Sequence, residues 1–339
     1  MNSKTFKRLA ILSVFLAFVV VILGAYTRLG DAGLGCPDWP GCYGHLDVPE
    51  EHHEIAKANQ AYPDRPVEPA KAWKEMIHRY FAGTLGILVI VMAVIALRNR
   101  HDPEQQVAIP VFLVFFIIFQ ALLGMWTVTI KLNPTIVMAH LMGGLTTLSL
   151  LFWVSLRQTN ALIEKRLDLT RLNRLHLLSL LALIVVVLQI MLGGWTSSNY
   201  AALACSNDFP MCQAKWWPAM DFSEGFVMWR GTDTNFEFGV LKNDARIAIQ
   251  MTHRIGALVT TVLLALLAFK LIDFRESKCL AKLGSALLVI LFVQLMLGVA
   301  NIIMSLPMAI AVSHNAVGAL LLLVMVAINH AIRPRAGAL

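Results

Sequence analysis

"QALLGMWTVTIKLNPTIVMAH" (120–140) and "QLMLGVANIIMSLPMAIAVSH" (294–314) are both 21 residues long, and Gln, Leu-Gly and the closing His align at an offset of 174. The pair decides the fold, because self-similarity at a fixed offset reports a duplicated unit. Working outward, "KEMIHRYFAG" (74–83) and "QMTHRIGALV" (250–259) form a second pair, with His78 and His253 separated by 175 residues. Cys36 to Cys205 spans 169 residues and Cys42 to Cys212 spans 170. The chain therefore reads as two halves, about 1–160 and 170–332, each carrying the same landmarks in the same order.

Composition says what the repeated unit is. Of the 339 residues, 58% are hydrophobic and only 14% charged, against about a quarter charged in a soluble domain. Several runs exceed the roughly 18 apolar residues that mark a spanning helix. Eight spans are predicted, at about 9–27, 77–97, 107–129, 135–156, 175–196, 247–271, 281–303 and 308–331. Helices are the natural choice, since no backbone polar group can go unpaired in lipid, and an open sheet is excluded on the same ground. The fold class is thus an all-α membrane protein, eight transmembrane helices arranged as two tandem four-helix bundles. Each half holds an even number of spans, so both have the same orientation, unlike an inverted-repeat transporter. The first span is too long for a cleaved signal peptide and lacks an A-x-A site.

The net charge of +7 is explained by short basic loops rather than by nucleic acid. Lys4, Lys7 and Arg8 precede the first span; Arg157, Lys165, Arg166, Arg171 and Arg174 fall between spans four and five. Lys270, Arg275, Lys278 and Lys282 lie between spans six and seven, and Arg333 and Arg335 follow the last. By the positive-inside rule these segments and both termini face the cytoplasm. The opposite side then carries two long loops, 28–76 and 197–246, holding Cys36, Cys42, Cys205 and Cys212, while Cys279 falls inside. That division suits an oxidising exterior and a reducing cytoplasm. Trp39, Trp73, Trp126, Trp195, Trp216, Trp217 and Trp229 also map to the outer side, as an aromatic belt would. "GLGCPDWPGC" (33–42) and "CSNDFPMC" (205–212) are read as within-loop disulfides, with a redox-active pair as the alternative. Residues 45–72 read as a flexible or partly helical lid.

Ionisable groups at membrane depth are expensive and generally functional. His78, His140, His253 and His314 stand on the second and fourth spans of each half, one to two turns below the outer surface. Two imidazoles at matched depth on neighbouring helices suit haem, whose iron takes axial His ligands in a bundle core. A single membrane His is as often an interhelical hydrogen-bonding residue; four, paired twice, are not well explained that way. Zinc would want three or four ligands per site, which the sequence does not supply. His45, His52, His53, His101, His176 and His330 fall in loops or at inner helix ends and read as solvated or interfacial.

The halves differ at one position. Glu75 lies three residues before His78 on the same helix face, where the second half has Gln250 before His253. An acid beside one imidazole pair and an amide beside the other suggests proton chemistry in the first half and a fixed electron-transfer site in the second. The bland reading of Glu75 is a carboxylate at a helix N-terminus. Arg79 and Arg254 follow the two histidines, and with Arg28 they could bind haem propionates through the guanidinium fork, or simply snorkel. Gly83, Gly86, Gly143, Gly144, Gly256 and Gly318 would let a flat macrocycle approach the backbone, or serve helix packing.

These segments resemble the haem A synthase family of cytochrome oxidase assembly proteins over nearly the whole chain. The likeness rests on "GAYTRLGDAGLGCPDWPGC" (24–42), "EMIHR" (75–79), "MAHLMGG" (138–144), "MTHR" (251–254) and "SHNAVGA" (313–319). The resemblance implies oxidation of the C8 methyl of haem O to a formyl group, through an alcohol and a hydrate that loses water. It implies that His253 and His314 ligate a resident haem b, while His78 and His140 flank substrate haem O and Glu75 is essential. It further implies supply by a haem O synthase (a farnesyltransferase) and an electron acceptor that the residues do not identify. Lipid is the surrounding partner, and homo-oligomerisation is left open. The short N-terminal segment lacks an Arg- and Ser-rich transit pattern, so the expected location is a bacterial inner membrane. The runner-up is a dihaem b-type electron carrier, and a third reading is a thiol–disulfide protein built on the outer cysteines.

Overall fold

The computed structural model describes residues 3–159, 161–162, 169–274 and 276–333. Lys165, Arg166, Arg275 and Arg335 lie outside the described residues, and the side chain of Arg171 is likewise not described. Ten helices are present among the described residues: α1 (Ser3–Leu29), α2 (His52–Ala61), α3 (Pro69–Arg98), α4 (Ala108–Thr129), α5 (Pro134–Thr159), α6 (Leu169–Ser198), α7 (Phe222–Gly225), α8 (Asn243–Ile272), α9 (Lys278–Ile303) and α10 (Met308–Ala331). Eight of them, all but α2 and α7, are long and apolar enough to cross a membrane. The protein is an all-α, multi-pass membrane protein.

The apolar runs locate the spans, but the helices outlast them. α3 starts at Pro69, with Glu68 as N-cap and the proline at the first helical position, where its missing N–H costs nothing. The eight residues before the expected start at 77 include the charged Lys71, Lys74 and Glu75, and Ala72, Glu75 and Met76 among them are buried. Short stops end the other helices. Leu132 and Leu306, just after α4 and α9, adopt positive φ of 61° and 60°, which terminates each helix before Pro134 and Pro307 start the next one.

Contacts divide the spans into two closed rings. α1 packs on α3, α3 on α4, α4 on α5, and α5 back on α1. In the same way α6 packs on α8, α8 on α9, α9 on α10, and α10 on α6. The rings meet through α1 on α10, α5 on α6, and α5 on α10. One continuous core, including Phe6, Leu148, Leu151, Leu264, Leu287 and Met325, runs through both rings. In lipid such burial stabilises through close packing more than through exclusion of water.

The outer loops have small cores of their own. Cys36, Cys42, Tyr43, Val48, Ala58, Ala72 and Met76 cluster under the first loop, with α2 packed over them. The expected lid is therefore partly helical, and α2 is started by a capping box between Glu51 and Glu54. Burial pushes the Tyr43 phenol up to about 12, so it stays protonated and donates to the Pro66 carbonyl at 3.2 Å. The second loop reaches across to the first ring. Phe236 packs with Leu34, Val128 and Leu132, its N–H donates to the Lys131 carbonyl, and Arg65 pairs with Glu237 at 2.8 Å.

Candidate functional site

Each of the four histidines lies a few turns into its helix, and each ring edge rests on a glycine of the preceding span. A Cβ added at Gly24 would sit 3.0 Å from Cε1 of His78, and one at Gly124 would sit 3.1 Å from Cε1 of His140. The corresponding distances are 3.2 Å from Gly193 to His253 and 3.2 Å from Gly298 to His314. Such contacts are tighter than ordinary van der Waals approach, so the glycines set how close helix and imidazole can come. The core of buried apolar residues resumes one to two turns further on, at Leu85, Leu145 and Ala319.

The structure brings His78 and His140 together, with ring centroids 6.4 Å apart and planes at 86°. Two metal–imidazole bonds of about 2 Å each, plus the two half-rings, add to about 6 Å. The first pair is thus spaced to hold one iron between them. His253 and His314 stand on α8 and α10 of the second ring, in the places that His78 and His140 take on α3 and α5 of the first. Among the described residues, no three His, Cys, Asp or Glu side chains gather to hold a bare metal ion. Paired imidazoles without a third ligand suit a metal whose other ligands come from a macrocycle.

Three glutamines complete the site, and reading the sequence did not single them out as functional. Gln120 Nε2 lies 3.1 Å from His140 Nδ1 and donates to the His140 carbonyl at 2.6 Å. Gln189 Nε2 lies 3.0 Å from His253 Nδ1 and donates to its carbonyl at 3.0 Å. Gln294 Nε2 lies 3.3 Å from His314 Nε2. Each glutamine stands four residues before the glycine that its histidine rests on, so Gln-x-x-x-Gly at 120, 189 and 294 was the available signal. The partner of His78 breaks the pattern: four residues before Gly24 stands Val20. The His78 ring has the Val20 backbone beside it, and its Nδ1 makes no hydrogen bond of ordinary geometry.

Glu75 is buried at 5% exposure. One carboxylate oxygen accepts from the Cys36 N–H at 3.0 Å, and the other meets Arg79 Nη2 at 2.5 Å. Arg79 donates in turn to the carbonyls of Asp38 at 3.0 Å and Pro40 at 3.2 Å, and to that of Gly41. Arg254 repeats this grip on the second loop, donating to Asp208 at 3.1 Å, Pro210 at 3.4 Å and Met211 at 2.9 Å. Both gripped loops are closed by disulfides, Cys36–Cys42 and Cys205–Cys212. Asp38 further accepts from the backbone of Tyr43 and Gly44 at 2.7 Å, as Asp208 does from Ala214 at 2.8 Å. The second loop has no carboxylate in the place of Glu75. Gln250 is buried there, with Oε1 unpartnered.

The guanidinium groups of Arg79 and Arg254 are therefore engaged with loop carbonyls, a role the sequence did not reveal. What remains to offer a ligand carboxylate includes Arg254 Nε, which is buried without a partner. Arg28 donates to the Ser197 carbonyl at 2.6 Å and stacks over Tyr200 at 4.1 Å, and its Nε is also buried and unpartnered. Of the glycines expected to admit a macrocycle, Gly143 and Gly256 instead make room for glutamine. Cβ atoms there would lie 2.0 Å from Gln120 Oε1 and 2.3 Å from Gln189 Oε1. Gly83 and Gly86 face open space.

The family described as "Cytochrome oxidase assembly protein" matches residues 7–326. The chain is 48% identical to the haem A synthase of Shewanella oneidensis, over 92% of this chain and 92% of that protein. It is 27% identical to the haem A synthase of Caulobacter vibrioides, over 94% of this chain and 93% of the relative. To that of Shouchella clausii it is also 27% identical, over 88% and 87%.

Proposed function

Since the chain belongs to the haem A synthase family of cytochrome oxidase assembly proteins, we propose that it is an oxidoreductase converting haem O to haem A, with the labour divided between its two helix rings. The reaction takes the C8 methyl group of haem O to a formyl group. Residues 1–160 hold the substrate and carry the chemistry; residues 170–332 hold a resident haem b. The observation that carries this division is the buried Glu75 beside one imidazole pair, against the amide of Gln250 beside the other.

In this reading His78 and His140 flank the iron of haem O and fix the macrocycle between α3 and α5. Glu75 lies one helical turn from His78. A carboxylate there can take up a proton released as the methyl group is oxidised, and its hydrogen bonds to Cys36 and Arg79 hold it in place. His253 and His314 are the ligands of the resident haem, which when bound supplies one-electron redox chemistry. Of the two arginines expected at the propionates, Arg254 is assigned to them, since both terminal nitrogens of Arg79 are taken up by loop carbonyls and Glu75. The unpartnered Nε of Arg254 supports this, because a buried guanidinium N–H left open matches a carboxylate well. Electrons leave to an external acceptor, and haem O arrives from a farnesyltransferase that makes it.

The location assigned is a bacterial inner membrane, with both termini on the cytoplasmic side and the two disulfide loops outside. Lys4, Lys7 and Arg174 at the inner ends support that orientation. The dihaem carrier is disfavoured, since the family match and the haem A synthase relatives point to the conversion instead.

The test is to replace Glu75. Glu75→Ala, and Glu75→Gln, which copies the second ring, should both retain copurifying haem while product formation falls at least about 100-fold, as expected when a general acid–base group is removed. Haem A made at the normal rate by the Glu75→Gln protein would refute the catalytic assignment.

A further inference from the structure

The proposed haem sites differ in how firmly their ligands are held, and this rests on the reading above. Gln189 and Gln294 each touch a ring nitrogen of the second pair, and Gln120 touches His140 of the first. Only His78 has no side-chain partner, because Val20 stands where the other three have glutamine. A second feature follows the same division. Room for the amide comes from Gly143, three residues after His140, from Gly256, three after His253, and from Gly318, four after His314. At the equivalent places after His78 stand Phe81 and Ala82. The exception thus lacks both the amide and the space for it.

The chemistry of ligation says what the amides do. An imidazole that gives Nε2 to a metal keeps its proton on Nδ1, and that N–H needs an acceptor to fix the ring and strengthen the ligand. In all three glutamines Oε1 is buried without a partner. For Gln120 and Gln189 the Nε2 stays on the histidine's own carbonyl, which leaves Oε1 as the side chain's acceptor for Nδ1–H. For His314 a half-turn of the imidazole brings Nδ1, buried and unpartnered, to the amide. His78 has the Val20 backbone carbonyl beside it but no side-chain amide, so its ring is held by fewer partners than the other three.

We infer that Gln120, Gln189 and Gln294 are positioning residues that lock three of the four axial histidines, and that Val20 leaves His78 as the releasable ligand through which the substrate haem enters and the product leaves. A resident cofactor is locked on both sides. A substrate must be locked on one side only, or turnover stops at product release.

The test uses purified full-length protein loaded with haem O. The rate at which haem passes to apomyoglobin is followed, and each haem is identified by chromatography. Val20→Gln combined with Phe81→Gly supplies the missing amide and its space; haem should leave the first site about 10-fold more slowly, within the range for such outer-shell changes. Gln189→Leu should loosen the resident haem by about 10–100-fold and weaken its low-spin signature. Gln189→Glu, which keeps an acceptor, should restore retention with a more negative midpoint potential. If the double variant does not fold, Gln120→Leu and Gln120→Glu make the same comparison at His140. Haem bound at both sites but released at wild-type rates by all these variants would overturn this inference alone. His253→Ala and His314→Ala proteins that keep the wild-type haem content would instead overturn the haem assignment on which it rests.

Discussion

The two helix rings share a scaffold and differ at its reactive points. In both, a disulfide loop is gripped through its carbonyls by the arginine that follows a histidine, Arg79 in one and Arg254 in the other. In the first ring a buried carboxylate, Glu75, ties that arginine to the loop's Cys36 N–H. In the second, Gln250 sits in its place with an unpartnered oxygen. The first ring also leaves one imidazole without an amide partner, while the second partners both. The scaffold is thus conservative in what positions a ligand, and it varies in what moves protons and in what lets a ligand go.

The largest effect should come from removing a ligand of the second pair. His253→Ala or His314→Ala is expected to purify with essentially none of the resident haem, as read from the haem-to-protein ratio; full retention would collapse the distinction between the rings. Next comes a paired glycine test. Gly193→Ala places a Cβ 3.2 Å from a ring that Gln189 holds, whereas Gly24→Ala places one 3.0 Å from a ring with no side-chain partner. The held ring cannot yield, so Gly193→Ala should lower retention of its haem several-fold more than Gly24→Ala does. Equal losses would show that the amide does not stiffen the site.

The smallest effect concerns the outer loops. Replacing Cys205 and Cys212 with Ser opens a loop of sequence separation 7, which removes about 2–3 kcal/mol of stabilisation. The thermal midpoint should fall by several degrees with haem content unchanged, since Arg254 still grips the loop carbonyls. The same change at Cys36 and Cys42 should also lower activity, because the Cys36 N–H is a partner of Glu75.

Much of this was legible in the chain. Spans are apolar runs of about 20 residues, the length a helix needs to cross a bilayer, so the eight appear close to where hydropathy puts them. Their polar ends were not legible. Three charges in 69–76 take that stretch out of the apolar run, and its inner side is buried where the first loop folds over Ala72 and Met76. The four histidines stand out because an imidazole is conspicuous at membrane depth. Gln120, Gln189 and Gln294 do not, since an amide in a span has many uses, and four-residue spacing from a glycine acquires meaning only when a neighbouring helix lays a His on that face. Arg79 and Arg254 were visible as a pair, but their carbonyl partners depend on the turn of each disulfide loop, which no spacing encodes.

The central claim is one resident haem and one substrate haem in a single chain. The direct measurement is to extract and chromatograph the haems of purified protein expressed with and without a supply of haem O. The account predicts haem B in both preparations, and haem O with haem A only when haem O is supplied. Two equivalents of haem B under both conditions, with no conversion, would contradict it and make the protein a dihaem electron carrier.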